Sequence, residues 1–412
     1  MERRVVITGI GVVSPIGNSV EKFWESIKEG KCGIKPLPDK LKAQGADVFV
    51  AGIDDDFTPE PYLDKKQARR LARFAQFAVH AAMQAKESAN LDLEKEDLTK
   101  VGVIIGSGIG GLDLIEDAVT ALNAKGARRV SPLFVPCAIG NMAAGNVSIA
   151  LGAKGVCQTV VTACAAGTHS IGEAFRAVQR GTNDVIFAGG AEASICPVGI
   201  AGFNAITALS QTEDPTRASV PFSKDRNGFV MGEGSGVIVL ESLEHAQARG
   251  AHIIAEMVGY GSTGDAYHIT SPSPDGEGIA RAMQEAIKEA GITPDQVDYI
   301  NAHGTSTHIN DLCETNAVKM VFGEDTKVPM SSTKSQIGHL LGGAGGVEAV
   351  ALVKAVEDDF LPPTIGYETP DEELTLDYVP NQGRHQKVTY AMSNSLGFGG
   401  HNASILIKKW EE

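Results

Sequence analysis

One pattern of strands, helices and glycine-rich loops is written twice along this chain, and that repetition constrains the fold more than any other feature. In the first half, a helical stretch over Ala72–Ala89 leads through an acidic loop to the strand-like run VGVIIG (Val101–Gly106) and a glycine-rich turn. In the second, a helical stretch over Gly278–Ala290 leads through TPDQ to VDYINA (Val297–Ala302) and HGTST. The next unit repeats as well. The run Gln158–Thr162, Cys164 and a helix to Arg180 answer MSST, Lys334, His339 and a helix to Val356. Each half closes on a glycine-rich turn feeding a strand, Met231–Ser242 and Leu396–Lys409. Short β-branched runs alternating with longer helical stretches mean α/β layers. Two such halves pack against each other, so a shared site falls where loops from both meet. They divide at Arg249–Ala251, into residues 1–250 and 251–412, with no low-complexity linker. Pro36–Asp64 and Thr207–Gly228, rich in Pro, Asp and Gly, are excursions from the repeat.

Composition narrows the function. With aromatics at 6% and 47 glycines among 412 residues, the interior should be Ala, Val, Ile and Leu with close backbone approaches. A net charge of −15 argues against nucleic acid as a partner. No apolar run reaches the roughly 18 residues of a membrane span. The start, MERRVVITGIGVVSP, lacks the apolar core and cleavage site of a signal peptide. The six cysteines (Cys32, Cys137, Cys157, Cys164, Cys196, Cys313) show no paired spacing, which argues against a disulfide framework or a Cys-rich zinc site. The expected compartment is a reducing cytoplasm.

Chemistry concentrates at four residues. Cys164, in VVTACAAGTHSIGEA, sits on a tight turn between a buried strand and a helix N-terminus, where unpaired N–H groups and the helix dipole favour thiolate. His303 in NAHGTST, and Lys334 and His339 in STKSQIGHLLGGAGGVEA, follow strand-like runs into Gly/Ser/Thr-rich loops. A nucleophile-ready thiol with two histidines and a lysine reads as acyl-thioester chemistry. Lys334 would keep the imidazoles neutral by like-charge repulsion, or orient a carboxylate; Glu348 on the following helix is its natural counter-charge. His80, His245, His252 and His385 read as surface or satisfied core residues, and Cys157 as an inert buried thiol. Two rival motifs are weaker. GSGIGG (Gly106–Gly111) matches a dinucleotide fingerprint but lacks a following strand that ends in an acidic residue. His303 and His308 with Asp311 lack zinc-hydrolase spacing, and a metal would compete for the thiolate.

Five ordered motifs, TACAAGTHSIGEA, PFSKDRNGFVMGEGSGVIVLE, NAHGTST…ND…ET, STKSQIGHLLGGAGGVEA and SNSLGFGGHN, resemble the β-ketoacyl-acyl-carrier-protein synthases of the thiolase superfamily. The type II elongating enzymes are the nearest likeness, over almost the whole chain. The resemblance implies a thiolase-like α-β-α-β-α layered sandwich, a homodimer, no cofactor, and a carrier protein bearing acyl and malonyl groups as partner. It implies Cys164 as the acylated nucleophile, His303 and His339 as enolate stabilisers, and the amides of Cys164 and Phe398 as the oxyanion hole. Lys334 and Glu348 match the supporting pair, with Asp311 beside them. Thr305 and Thr307 match pantetheine contacts, and Ile109 the far end of the acyl tunnel. His308, Ile206–Thr207 and Cys137–Gly140 depart from the usual pattern and bear on carrier docking and chain length. A secondary-metabolite ketosynthase is the alternative within the class, and a nucleotide-binding oxidoreductase a distant one. Such carriers are acidic. The expected docking patch is therefore DKKQARRLARF, with Lys65, Lys66, Arg69, Arg70 and Arg73 largely on one helical face. Lys125, Arg128 and Arg129 extend it.

Overall fold

The computed structural model describes residues 2–411. The first half contributes strands β1 (Val5–Val13), β2 (Val101–Gly106), β3 (Cys157–Gln158), β4 (Val185–Glu192) and β5 (Gly234–Ser242). The second contributes β6 (Ala255–Gly264), β7 (Tyr299–Asn301), β8 (Met330–Ser331), β9 (Tyr390–Gly397) and β10 (His401–Lys409). They form one sheet in the order β8-β7-β9-β10-β6-β1-β5-β4-β2-β3. Each half therefore has the same internal order, strand for strand. Pairing directions agree too: β1/β5 and β5/β4 are antiparallel and β4/β2 and β2/β3 parallel, as are their counterparts β6/β10, β10/β9, β9/β7 and β7/β8. Within the sheet the halves join through three residue pairs, Val5–Ile7 against Ala255–Met257. The repeat read in the sequence is the architecture.

The six longest helices among the described residues are α1 (Arg73–Ser88), α2 (Leu112–Lys125), α3 (Ala166–Gln179), α4 (Glu277–Ala290), α5 (His308–Phe322) and α6 (Ala344–Asp358). α1 covers β1, β4 and β5, and α4 covers β6 and β10. α3 and α6 pack on each other and on strands of both halves. Glycine makes this layering tight. A Cβ on Gly9 or Gly11 would overlap carbonyls of α1, and one on Gly259 or Gly261 would overlap carbonyls of α4. Likewise Gly167 of α3 lies against the backbone of Gly342 and Gly346. That contact decides the site, because it draws the turn before α3, carrying Cys164, onto the loop before α6, carrying His339.

Two expectations about local structure need correction. Only Cys157–Gln158 of the run before Cys164 forms strand, and both residues are exposed at the sheet edge rather than buried. Past Gln158 the chain leaves the sheet to reach the nucleophile turn, so Cys157 is not a core thiol. Nor is DKKQARRLARF one helix. Asp64 caps a four-residue helix, Lys65–Ala68, and α1 begins afresh at Arg73. Arg73 turns inward, its guanidinium 2.7 Å from Glu233. Lys65, Lys66, Arg69 and Arg70 stay exposed, as do Lys125, Arg128 and Arg129.

Candidate active site

Cys164, His303 and His339 line a single cavity of about 400 Å³, together with Thr305, Thr307, Phe229 and Phe398. The first half supplies the thiol and the second both imidazoles. Three residues with left-handed backbone surround it: Ala163 (φ 49°), Ser306 (φ 69°) and Leu341 (φ 48°), each within three positions of Cys164, His303 or His339. None is glycine, and such conformations cost on the order of 1–3 kcal/mol each, held by the packed surroundings.

The imidazoles are held from behind. The Leu341 amide donates to His339 Nδ1 (3.3 Å), which puts the ring proton on Nε2. The His339 backbone is clamped by N–H to the Val230 carbonyl (2.7 Å) and by the Gly232 amide to its own carbonyl (2.8 Å). Phe229 packs edge-on against the ring at 5.2 Å. His303 Nδ1 is buried without a partner, leaving Nε2 as the nitrogen available to the cavity. The two rings stand 5.2 Å apart, nearly perpendicular. Burial holds both well below the usual imidazole range, and Lys334 lowers both further. Two neutral rings can serve as hydrogen-bond donors through Nε2, which is what a developing oxyanion requires.

Lys334 reaches that position as a buried ion pair with Glu348, each side chain 1% exposed. It meets a carboxylate, and its charge adds to the effect of burial in lowering both imidazoles. Burial raises the Glu348 carboxyl and Lys334 opposes that rise. Asp311 stands elsewhere. It accepts from the Phe222 amide (2.9 Å) and faces Arg226 at 3.6 Å, tying the Thr207–Gly228 excursion to α5. The carboxylate that fixes His303 is Glu314, one helical turn on, which accepts from the His303 and Gly304 amides at 2.8 and 2.9 Å. Burial pushes its carboxyl up to about 7. The ET of NAHGTST…ND…ET held that signal. Glu192, equally buried, accepts from the Gly108 and Gly342 amides (2.7 and 3.2 Å) and ties GSGIGG to the loop before α6.

The nucleophile departs from expectation. Burial pushes the Cys164 thiol up to about 12, only partly offset by Lys334, so the helix start does not produce a resting thiolate. Burial of the thiol, which disfavours its charged form, is the larger effect here. We expect the alkylation rate of Cys164 by iodoacetamide to climb about tenfold per pH unit up to at least pH 10. A plateau near pH 7 would instead mark a stabilised thiolate; a Cys164→Ala control removes the signal of exposed Cys157.

Neither the Cys164 nor the Phe398 amide donates to a carbonyl among the described residues, and Gly397 packs against Thr162 and Cys164. Phe398 lines the cavity with Cys164, and amide donors at two such positions are what an oxyanion hole needs. Thr305 and Thr307 line the cavity with their hydroxyls 3.0 Å apart, and exposed His308 lies at its rim with Ile206 and Thr207. Ile109 does not line this cavity and is 37% exposed. Cys137 lies apart, its Sγ 2.9 Å from the Arg70 carbonyl.

Comparison with known proteins agrees with this arrangement. The sequence profile described as "Beta-ketoacyl synthase, N-terminal domain" matches residues 2–246, and that of the C-terminal domain residues 254–368. The chain is 54% identical over 410 residues, 99% of each protein, to 3-oxoacyl-[acyl-carrier-protein] synthase 2 of Staphylococcus aureus (strain COL). It is 50% identical over 412 residues to the protein of that name from Synechocystis, covering 100% of this chain and 99% of the relative. A type II polyketide ketosynthase solved in complex with its acyl-carrier protein superposes with a TM-score of 0.92 at 37% identity, covering both chains fully. A β-ketoacyl synthase from Burkholderia phymatum gives 0.92 at 32%, over 99% of this chain and 100% of that one.

Proposed function

The chain belongs to the β-ketoacyl synthase family, and from that premise we propose how its residues divide the work of the condensation. The reaction is fatty-acid elongation: an acyl chain is joined to malonyl-acyl-carrier protein with loss of carbon dioxide, giving 3-oxoacyl-acyl-carrier protein. The partner is the acyl-carrier protein bearing these groups. Cys164 Sγ attacks the donor thioester, its proton leaves with the carrier thiol, and the amides of Cys164 and Phe398 hold the tetrahedral oxyanion. Malonyl thioester then enters. As its carboxylate departs as carbon dioxide, Nε2–H of His303 and His339 stabilises the enolate oxygen. The enolate carbon attacks the Cys164-bound carbonyl, the carbon–carbon bond forms, and the Cys164 sulfur leaves as thiolate and takes up a proton from solvent. Thr305 and Thr307 contact the pantetheine arm. The observation that carries this reading is one thiol and two neutral imidazoles in a single cavity. Incubation with acyl- and malonyl-carrier protein should give a product two carbons longer than the primer, read by mass. The 54% identity to fatty-acid enzymes, against 37% to the polyketide ketosynthase, favours elongation over the secondary-metabolite alternative.

No helix among the described residues is long and apolar enough to cross a membrane, and we place the enzyme in the cytoplasm, where its carrier substrates are made. A homodimer is part of the same proposal. Ile115, Val119 and Leu122 of α2, with Val135 and Ile149, are apolar yet exposed, as is the sheet edge at Cys157–Gln158. A second copy would bury that face.

The carrier docks on exposed Lys65, Lys66, Arg69 and Arg70. Such charges act on association and are screened over about 8 Å at physiological salt. Reversing Arg69 and Arg70 to Glu should raise KM for carrier-bound substrates and flatten its salt dependence. Turnover of a small pantetheine thioester should stay unchanged; equal losses on both substrates would assign the patch to folding.

A further inference from the structure

One titratable group next to the nucleophile takes no part in the chemistry above. His169, on the first turn of α3, is 6% exposed and lies outside the cavity lining. Both ring nitrogens are engaged. Nδ1 faces Thr162 Oγ1 at 2.9 Å and the Ala165 carbonyl at 3.2 Å. Nε2 faces Ser262 Oγ at 3.1 Å. Thr162 and Ala165 are the two ends of the turn that presents Cys164, and between them Ala163 sits at φ 49°. Ser262 is on β6, in register with Ala403 of β10, the strand that follows the Phe398 loop. Tyr260 and His401 flank the ring edge-on at 6.3 and 6.4 Å.

We propose that His169 is a positioning residue for the acyl-transfer step, pinning the strained Thr162–Ala165 turn of the first half to β6 of the second. A non-glycine residue at φ 49° returns to ordinary backbone unless its flanks are held. The side chain holding both flanks here is this imidazole. Its second nitrogen anchors them to the half that carries Phe398, so one ring sets the distance between the two oxyanion amides. Burial holds it down to about 4, so it stays neutral and can serve both nitrogens across the working range. The imidazoles His303 and His339 are fixed by other contacts, Glu314 and the Val230–Gly232 backbone, so this role touches acylation and spares decarboxylation.

The inference rests on Cys164 as the acylated residue, and the test separates the two. Wild type, His169→Asn, His169→Gln and His169→Leu are compared for acylation by acyl-carrier protein, read by intact mass, for malonyl-carrier-protein decarboxylation, and for thermal midpoint. Absence of a Cys164 adduct in wild type would overturn the nucleophile assignment itself. Given that adduct, Gln and Leu should slow acylation about 10- to 100-fold, the scale of a small misplacement of a reacting group. Decarboxylation should stay within about threefold. Asn, whose amide can fill the place of Nδ1 but leaves Ser262 without its partner, should recover only part of the acylation rate, and full recovery overturns the pinning to β6. Unchanged acylation in Gln and Leu, or an equal fall in both half-reactions alongside the thermal midpoint, overturns the proposal. Should the Leu variant not fold, Asn against Gln decides: equal acylation rates overturn it.

Discussion

Cys164→Ala should abolish acyl-enzyme formation and condensation, while malonyl-carrier-protein decarboxylation continues in the same variant. In the proposed division of labour the thiol accepts the acyl group, while the imidazoles that would face the enolate come from the other half of the molecule. The converse variants, His303→Ala and His339→Ala, should each cost decarboxylation about 10²–10³-fold, the usual loss for one oxyanion donor in a water-excluded site. Their losses should not add, because both donors bind one oxygen. Intact mass after exposure to acyl-carrier protein reads the first step, and release of carbon dioxide reads the second. An acyl adduct on any other residue of the Cys164→Ala protein would overturn the assignment, as would decarboxylation that depends on the thiol.

The buried pair is the second lever. Lys334→Met leaves the Glu348 carboxylate alone in the core, and breaking one partner of such a pair costs about 3–5 kcal/mol. Against a usual total of about 5–15 kcal/mol, that is a large fraction of stability. Lys334→Met/Glu348→Met should recover most of the thermal midpoint, since well-packed apolar side chains replace buried pairs at little net cost. It should not restore the wild-type pH profile. Lys334 lowers His303 and His339, so its removal lets both rings rise toward ordinary imidazole values. Protonated rings then appear at a higher pH as the solution is acidified, and the acid limb of decarboxylation moves upward. An unshifted acid limb in the double variant would show that burial alone keeps the rings neutral.

How much of this was legible in the chain differs from residue to residue. The reach of Lys334 to Glu348 was legible, because opposite charges spaced across a loop and one helical turn have few other partners once buried. Glu314 and Asp311 lie in one motif and carry the same carboxylate chemistry. The two are three positions apart on α5, and only the docking of that helix decides which one meets the His303 amides and which meets Phe222 and Arg226. The basic run Lys65–Arg73 misled for a related reason: helical spacing was continuous, but a capped four-residue turn ended it and Glu233, distant in sequence, claimed Arg73.

By itself the sequence determined the doubled βα architecture, the α/β layers and the identity of the thiol, imidazoles and lysine, because these rest on local period and on residue chemistry. Only the tertiary structure decided that Cys164 is buried, with its thiol pushed up rather than down, that Cys157 is exposed, and that His169 joins the nucleophile turn to the opposite half. Desolvation and cross-half contacts arise only when the halves pack. Glycine-to-glycine approaches such as Gly167 on Gly346 set that packing to within an atom's width, and no local pattern encodes it.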